Sequence, residues 1–203
     1  MTSAAIVHVV DDDDAIRRAL TMLARSAGHE ARAYESAEAA LEALTPDSAG
    51  CVVTDVRMPG MSGLDLQAAL RKRGVNLPVI IITGHGDVPM AVRALKQGAT
   101  DFIEKPFDDS AFLDGVAQAL AADAKAAGLR GVRASVEARV AQLTQREREV
   151  MKLVVQGLPN HTAAETLNIS VRTVENHRAR VMEKMGARGL SDLVRMVLKL
   201  EGA

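Results

Sequence analysis

The sequence predicts an α/β fold, a doubly wound (βα)5 parallel sheet, joined to a C-terminal all-α domain with a helix-turn-helix. Three observations predict it. Short β-branched apolar runs alternate with amphipathic segments over the first 120 or so residues. Beyond about Gln142 the strand pattern stops and only capped helical periods remain. The charge changes sign along the chain: residues 1–122 carry 11 Lys/Arg against 17 Asp/Glu, a net of −6, whereas residues 123–141 carry 4 against 2 and residues 142–203 carry 10 against 7. An acidic first part and a mildly basic last part imply two domains with different partners.

Ile6–Val10 is an apolar strand that runs into Asp11-Asp12-Asp13-Asp14. A helix is expected from about Ala15 to Ser26, with Leu20 and Leu23 inward and Gly28 ending it. Glu30–Tyr34 is a shorter, more polar strand that suits a sheet edge. Ser36 can cap a helix over 37–44, which Pro46 closes. Cys51–Thr54 leads straight to Asp55, and Pro59-Gly60 stops the strand, so Asp55 stands at the carboxyl end of a central buried strand. Ser62 with Asp65 three residues on resembles a capping box for a helix through Lys72. Val79–Thr83 is a continuous apolar strand, 87–97 a helix stopped by Gly98, and 101–104 a fifth strand broken by Lys105-Pro106. A last helix of this domain starts near Asp108. The domain is expected over 1–122.

Residues 123–141 are Ala-rich and charged, with Gly128 and Gly131 among them and no sustained apolar stripe. They read as a linker, partly helical and jointed at the glycines. Over 142–203, Thr144-Gln145-Arg146-Glu147 is a capping box opening a helix to Gln156. A short helix over 161–167 follows, then a longer one, Val171–Met185, capped by Ser170 and stopped by Gly186. A final helix begins at Ser191. Short helix, turn and longer capped helix is the helix-turn-helix order.

Aromatics are only 2% of the chain, so the cores must be Val, Ile, Leu, Met and Ala. No apolar run approaches the ~20 residues that span a bilayer, and the N-terminus lacks a signal-peptide pattern. A cytoplasmic protein without a membrane partner is the expectation. Cys51 is the sole cysteine, which excludes an intrachain disulfide and a cysteine metal cluster. It is expected to be a small core residue.

Strand ends are where ligands gather in open parallel sheets. Asp11 and Asp12 follow the first strand, Asp55 ends the third, Thr83 ends the fourth, and Lys105 follows the fifth. Clustered carboxylates repel, and a hard divalent cation such as Mg²⁺ resolves that repulsion through oxygen ligands. A cation, an ammonium and a hydroxyl around one carboxylate would neutralise an arriving phosphoryl group. A bare acidic turn is more often a solvated helix cap. That reading is kept for Asp13 and Asp14, while Asp11 and Asp12 join the site because Asp55, Thr83 and Lys105 accompany them. His85 is read as a structural loop residue beside the site.

On these residues the first 120 or so positions resemble the receiver domain of two-component response regulators. The stretches 83–91 and 101–107 are similar to FixJ-type members. The resemblance implies strand order 2-1-3-4-5, Asp55 as phosphoacceptor from a sensor histidine kinase, and a Mg²⁺ ion on Asp12, Asp55 and the Arg57 backbone carbonyl, with Asp11 helping through water. It further implies Thr83 and Lys105 on the phosphoryl oxygens, a cis Lys105-Pro106 bond, and Phe102 as an aromatic switch where many relatives carry Tyr.

The segment from Leu143 through His177 resembles the LuxR/NarL-type helix-turn-helix. Independently, Val174, Val181 and Met185 share one helix face. The other carries Arg172, Asn176, Ala179 and Glu183, flanked by Thr173, Glu175, Arg180 and Lys184. Asn can read adenine, Glu can accept from cytosine and Ala can touch a thymine methyl. Arg180, Lys184, Thr173 and His177 suit phosphates. A net of +3 implies modest non-specific affinity, so tight binding to promoter DNA calls for two copies. The resemblance places dimerisation on the last helix, with Leu193, Val194 and Val197 as an apolar patch, though Val197 could pack inside the domain instead. RNA polymerase is the expected downstream partner.

Two other classes compete. An aspartate-based phosphatase usually carries a second Asp two positions after the nucleophile, where this chain has Arg57. No Walker-type loop or nucleophile elbow is present either. A receiver acting purely through protein partners would need a C-terminal domain that binds no DNA. The expected protein is therefore a non-enzymatic regulator.

Overall fold

Every second residue of a buried parallel strand faces a different helix layer, and the central strands here are apolar on both sides. In the structure, a computed structural model describing residues 4–84 and 88–201, the strands are β1 Ile6–Val10, β2 Glu30–Tyr34, β3 Gly50–Asp55, β4 Val79–Thr83 and β5 Asp101–Glu104. They pair in parallel in the order β2-β1-β3-β4-β5, the order implied by the resemblance. Helices α1 Asp14–Ser26, α2 Ala37–Ala43, α3 Gly63–Lys72, α4 Val88–Lys96 and α5 Asp109–Ala141 follow the strands in turn. Val7, Val9, Cys51, Val53, Ile80 and Ile82 pack on one side with Phe112 and Val116 of α5. Val10, Val52 and Ile81 pack on the other with Leu41, Leu66 and Leu70. Cys51 is buried and its thiol is pushed up to about 12, by burial first and then by the charge of Asp123.

Two polar groups inside this unit were not signalled by the sequence. His8 of β1 is buried, and its Nδ1 lies 3.1 Å from the Tyr34 hydroxyl. Burial, followed by the charge of Arg32, pulls its pKa down to about 4. Asp123 of α5 is also buried and accepts the Gly50 backbone N–H at 2.8 Å. Gly50 has φ +122, and a Cβ there would run into the Ile6 backbone.

The chain divides into two compact units, residues 1–126 and 127–203. The helix α5 runs unbroken from Asp109 to Ala141, whereas 123–141 were expected to be only partly helical. Its three glycines, Gly115, Gly128 and Gly131, cost a helix about 1 kcal/mol each, which a long run of Ala and straight-chain residues offsets. The missing central stripe also has a cause, because Val116 and Ala119 serve the first unit's core while Val136 and Val140 serve the second's. The second unit continues with α6 Gln145–Val155, α7 Asn160–Leu167, α8 Val171–Met185 and α9 Leu190–Glu201. Val150, Val154, Ala163, Val174, Val181, Met185 and Leu193 form its core. The capping box opens α6: Glu147 N–H donates to Thr144 Oγ1 and the Glu147 carboxylate takes the Thr144 N–H at 2.8 Å.

Glu147 is itself buried, and Lys184 of α8 donates to it at 2.6 Å. That hydrogen bond, then the one from the Thr144 backbone, holds the Glu147 carboxyl down at about 2 against the opposing effect of burial. The two units should therefore respond to acid in different windows. A depressed histidine pKa means the unfolded chain takes a proton first, so His8 removes stability from the first unit as pH falls from 6.5 to about 4. A depressed glutamate pKa keeps its stabilisation above the unfolded value, so the second unit loses the Glu147 contribution between 4.5 and about 2. Fluorescence of Tyr34, the single tyrosine, should report loosening at a higher pH than helix loss in 127–203 followed by NMR. In Glu147→Gln the second window should disappear, with a neutral-pH loss of roughly 1–3 kcal/mol in urea unfolding.

Candidate functional site

Parallel pairing brings the carboxyl ends of β1, β3, β4 and β5 to one edge of the sheet. Asp55 is in register with Ile82, so Thr83 stands one residue further on, and Thr83 is in register with Glu104. The chain past Glu104 is held to β4 by Lys105 N–H, which donates to the Thr83 carbonyl at 2.7 Å. From there the Lys105 ammonium reaches both acids, donating to Asp55 Oδ1 at 2.9 Å and Asp11 Oδ2 at 3.1 Å. The second Asp55 oxygen accepts the Arg57 backbone N–H at 2.6 Å, and the second Asp11 oxygen accepts that of Asp13 at 2.9 Å. Asp11, Asp55 and Lys105 are thus one hydrogen-bonded group, although they lie far apart in sequence.

Electrostatics separate the members of this group. Asp11 is buried, and burial raises its carboxyl above the usual range despite the Asp13 N–H and the Lys105 charge; the charge of Asp55 raises it further. Burial would lower Lys105, but its hydrogen bond to Asp55 and the charges of Asp11 and Asp55 carry it above its ordinary value. The ammonium therefore stays charged between two carboxylates. Thr83 is buried as well, Asp12 is exposed and Arg57 is exposed. Lys105-Pro106 is cis, as the resemblance implied. Phe102 is half-buried and packs on the core cluster containing Ala94 and Ala99. His85 lies outside the described residues.

Several residues that shape this edge carried no signal in the sequence. Arg17 Nη1 donates to the carbonyls of Asp11 and Asp12 at 2.8 and 3.3 Å and so holds the acidic loop. Glu38 accepts the Met61 N–H at 2.8 Å and fixes the loop after Asp55. Gly63 begins α3 against Asp55, and a Cβ there would collide with the Asp55 carbonyl oxygen and the Thr54 side chain. Asp13 caps α1, accepting from Ala15 and Ile16 N–H, and Asp14 pairs with Arg17 and Arg18. Those two acids serve the helix.

The donors fit a small hard cation only in part. Two carboxylates and a peptide carbonyl supply oxygen alone, which suits Mg²⁺ with retained waters. Among the described residues, however, no three His, Cys, Asp or Glu side chains gather as a metal cluster. Lys105 holds the position between Asp11 and Asp55.

In the second unit, α8 buries Val174, Val181 and Met185 and exposes Arg172, Glu175, Asn176, Ala179 and Arg180. The Thr173 hydroxyl lies 2.7 Å from that of Ser170 at the helix start. Lys184 differs from expectation. It donates to buried Glu147 and, at 3.3 Å, to the Gln142 carbonyl, because a buried carboxylate at the start of α6 requires a cation. His177 is half-buried, with Nδ1 enclosed and unpaired among the described residues. Of the apolar patch expected on α9, Leu193 lies in the unit's own core and so does Val197, the alternative open for it, while Val194 is half-buried outside that core cluster and Leu190 and Leu198 are exposed.

Two family models match. The response regulator receiver domain covers residues 7–117, and the LuxR family of bacterial regulatory proteins covers residues 141–197. The chain belongs to the response-regulator family. It is 50% identical to the transcriptional regulatory protein FixJ of Azorhizobium caulinodans over 98% of this chain and 94% of that protein. It is 47% identical to nodulation protein W of Bradyrhizobium diazoefficiens, over 96% and 86% respectively. Among solved structures, response regulator StyR matches with a TM-score of 0.87 at 42% identity, covering 97% of this chain and all of that one. As a response regulator of FixJ type, the chain combines a receiver with a LuxR-type domain, and both groups of residues described above fall inside the matched segments. No described helix is long and apolar enough to cross a membrane.

The close approach at Gly63 has a measurable consequence. Gly63→Ala should destabilise the receiver by roughly 2–4 kcal/mol, since the added methyl meets backbone rather than a movable side chain. Urea unfolding followed by Tyr34 fluorescence is the check.

Proposed function

We propose that this response regulator is a transcription factor switched by phosphorylation of Asp55. The observation that carries the reading is the Lys105 ammonium shared by Asp55 and Asp11. A group held that way has a nucleophilic oxygen at the sheet edge and a fixed cation beside it, which is most of what phosphoryl transfer needs. The donor is a phosphohistidine of a sensor kinase. An Asp55 oxygen attacks phosphorus in line, the P–N bond breaks, and the imidazole leaves with the electron pair and is protonated by solvent. Asp12, Asp55 and the Arg57 carbonyl would hold Mg²⁺, with Asp11 helping through water, and the ion would supply charge neutralisation to the phosphoryl oxygens. Arg57 N–H orients the Asp55 carboxylate, and Lys105 neutralises phosphoryl charge.

The new acyl phosphate carries more negative charge than the carboxylate it replaces. Lys105 and the Thr83 hydroxyl turn to it, and the segment after Thr83, α4 and Phe102 rearrange with them. The α4 face, where Val92 and Leu95 are exposed, then serves as a surface for a second copy. Dimerisation brings two α8 helices to DNA half-sites about one helical turn, or ~34 Å, apart. Asn176, Glu175 and Ala179 read base edges, while Arg172, Thr173 and Arg180 set register on phosphates. With Lys184 bound to Glu147, phosphate contact falls to the arginines. RNA polymerase is the partner downstream, in the cytoplasm.

Radiolabelled acetyl phosphate with Mg²⁺ should label the wild-type chain at one site. Asp55→Asn should remain unlabelled, and a chelator should reduce wild-type labelling to background. Undiminished labelling of Asp55→Asn would sink the assignment.

A further inference from the structure

We infer that Arg139 of α5 is a positioning residue for DNA recognition, setting the tilt of α8 from a helix outside the segment that matches the LuxR family. The inference rests on the reading of α8 as the DNA-facing helix. Four observations support it, all within residues 127–203.

The end of α8 is where its carbonyls lack helical partners. Gly186, at φ +62, closes the helix with its N–H on the Glu183 carbonyl at 3.0 Å, and Ala187 N–H takes that of Met182 at 3.0 Å. The Met185 carbonyl is taken by Arg139 Nη1 at 2.7 Å. A guanidinium there is a charge-assisted donor at the negative end of the helix dipole.

The bond is reciprocated. Lys184, in the last turn of α8, donates to the Gln142 carbonyl just past the end of α5 and to Glu147 at the start of α6. Arg148 of α6 donates to the Ala141 carbonyl at 3.2 Å. Three cations therefore lock the end of α5, the start of α6 and the end of α8 together. Val136, one turn before Arg139, is buried in the same core. This part of α5 belongs to the C-terminal unit, although the family match begins at residue 141.

The reading side chains lie at the other end of α8. From Met185 back to Asn176 is nine residues, or about 14 Å of helix. Each five degrees of tilt at the brace moves Asn176 by roughly 1.2 Å over that length. Bidentate base contacts do not survive such a shift, since their hydrogen bonds need donor–acceptor distances near 2.9 Å. Contacts to phosphates by flexible arginine side chains follow it readily. Loss of Arg139 should thus reduce discrimination between sequences more than general affinity for DNA.

The full chain, treated with acetyl phosphate and Mg²⁺, would first select a duplex from a random 20-base-pair library. Arg139→Met should bind that duplex at least about tenfold more weakly, while a scrambled duplex of the same composition changes by less than about twofold. The salt dependence of binding should keep its slope, and Arg139→Lys should recover most of the discrimination. An unchanged ratio between selected and scrambled duplex overturns the inference. So does a fall of about one in the salt slope, which would make Arg139 a direct phosphate contact. If Arg139→Met lowers the folded fraction, Arg139→Gln and Arg139→Lys are compared at a temperature where both stay folded, with the same two outcomes. Failure of the wild-type chain to enrich any duplex overturns the DNA-binding reading itself.

Discussion

One ammonium group between two carboxylates organises the receiver. Lys105 reaches Asp11 and Asp55 only because β1, β3 and β5 are parallel and end at the same edge. Without the lysine, a buried Asp11 would sit beside a second negative charge, and its already raised pKa would rise further. The surrounding loops serve this arrangement. Arg17 ties down the acidic turn, Arg57 N–H orients Asp55, and Gly63 allows α3 to begin against the Asp55 carbonyl. Apolar strands buried on both faces supply the stiffness that keeps three side chains within hydrogen-bonding distance.

The C-terminal unit solves a similar problem with the opposite charge excess. Glu147 is a buried acid in a basic unit, held between a capping box and Lys184. Three helices meet at that pair, so a local helix-start device has become a tertiary joint. A small core of Val, Met, Ala and Leu provides apolar contact but little directionality, and charged hydrogen bonds fix the angles between helices. That division also explains why α5 can carry three glycines and still run unbroken, since its ends are anchored by different cores.

Much of the candidate site could be read from residue order because strand ends are punctuated. Asp55 follows a continuous apolar run and precedes Pro59-Gly60, and Lys105-Pro106 breaks the fifth strand in the same way. The Arg17, Glu38 and Gly63 contributions could not be read, because each meets a backbone atom of a loop, near or far in sequence, and backbone atoms carry no sequence signature. Lys184 shows the converse error. Its helical position marks it as exposed and cationic, yet its partner is a glutamate 37 residues away whose burial no local pattern reveals. Leu193 and Val197 of α9 were equally ambiguous, since an apolar helix face looks the same whether its own core or a second copy covers it.

By itself, then, the sequence determined the strands and most of the helices, though not the unbroken run of α5 through 123–141, together with the two-domain division of labour and the residue types available at the strand ends. Local periodicity, caps and breakers carry that information, and they act within a few residues. Tertiary structure decided which charges meet. It joined Lys105 to Asp11 and Asp55, diverted Lys184 to Glu147, and set Arg139 on the last turn of α8. Ion pairs and helix-end hydrogen bonds depend on distances between atoms that the chain brings together only on folding.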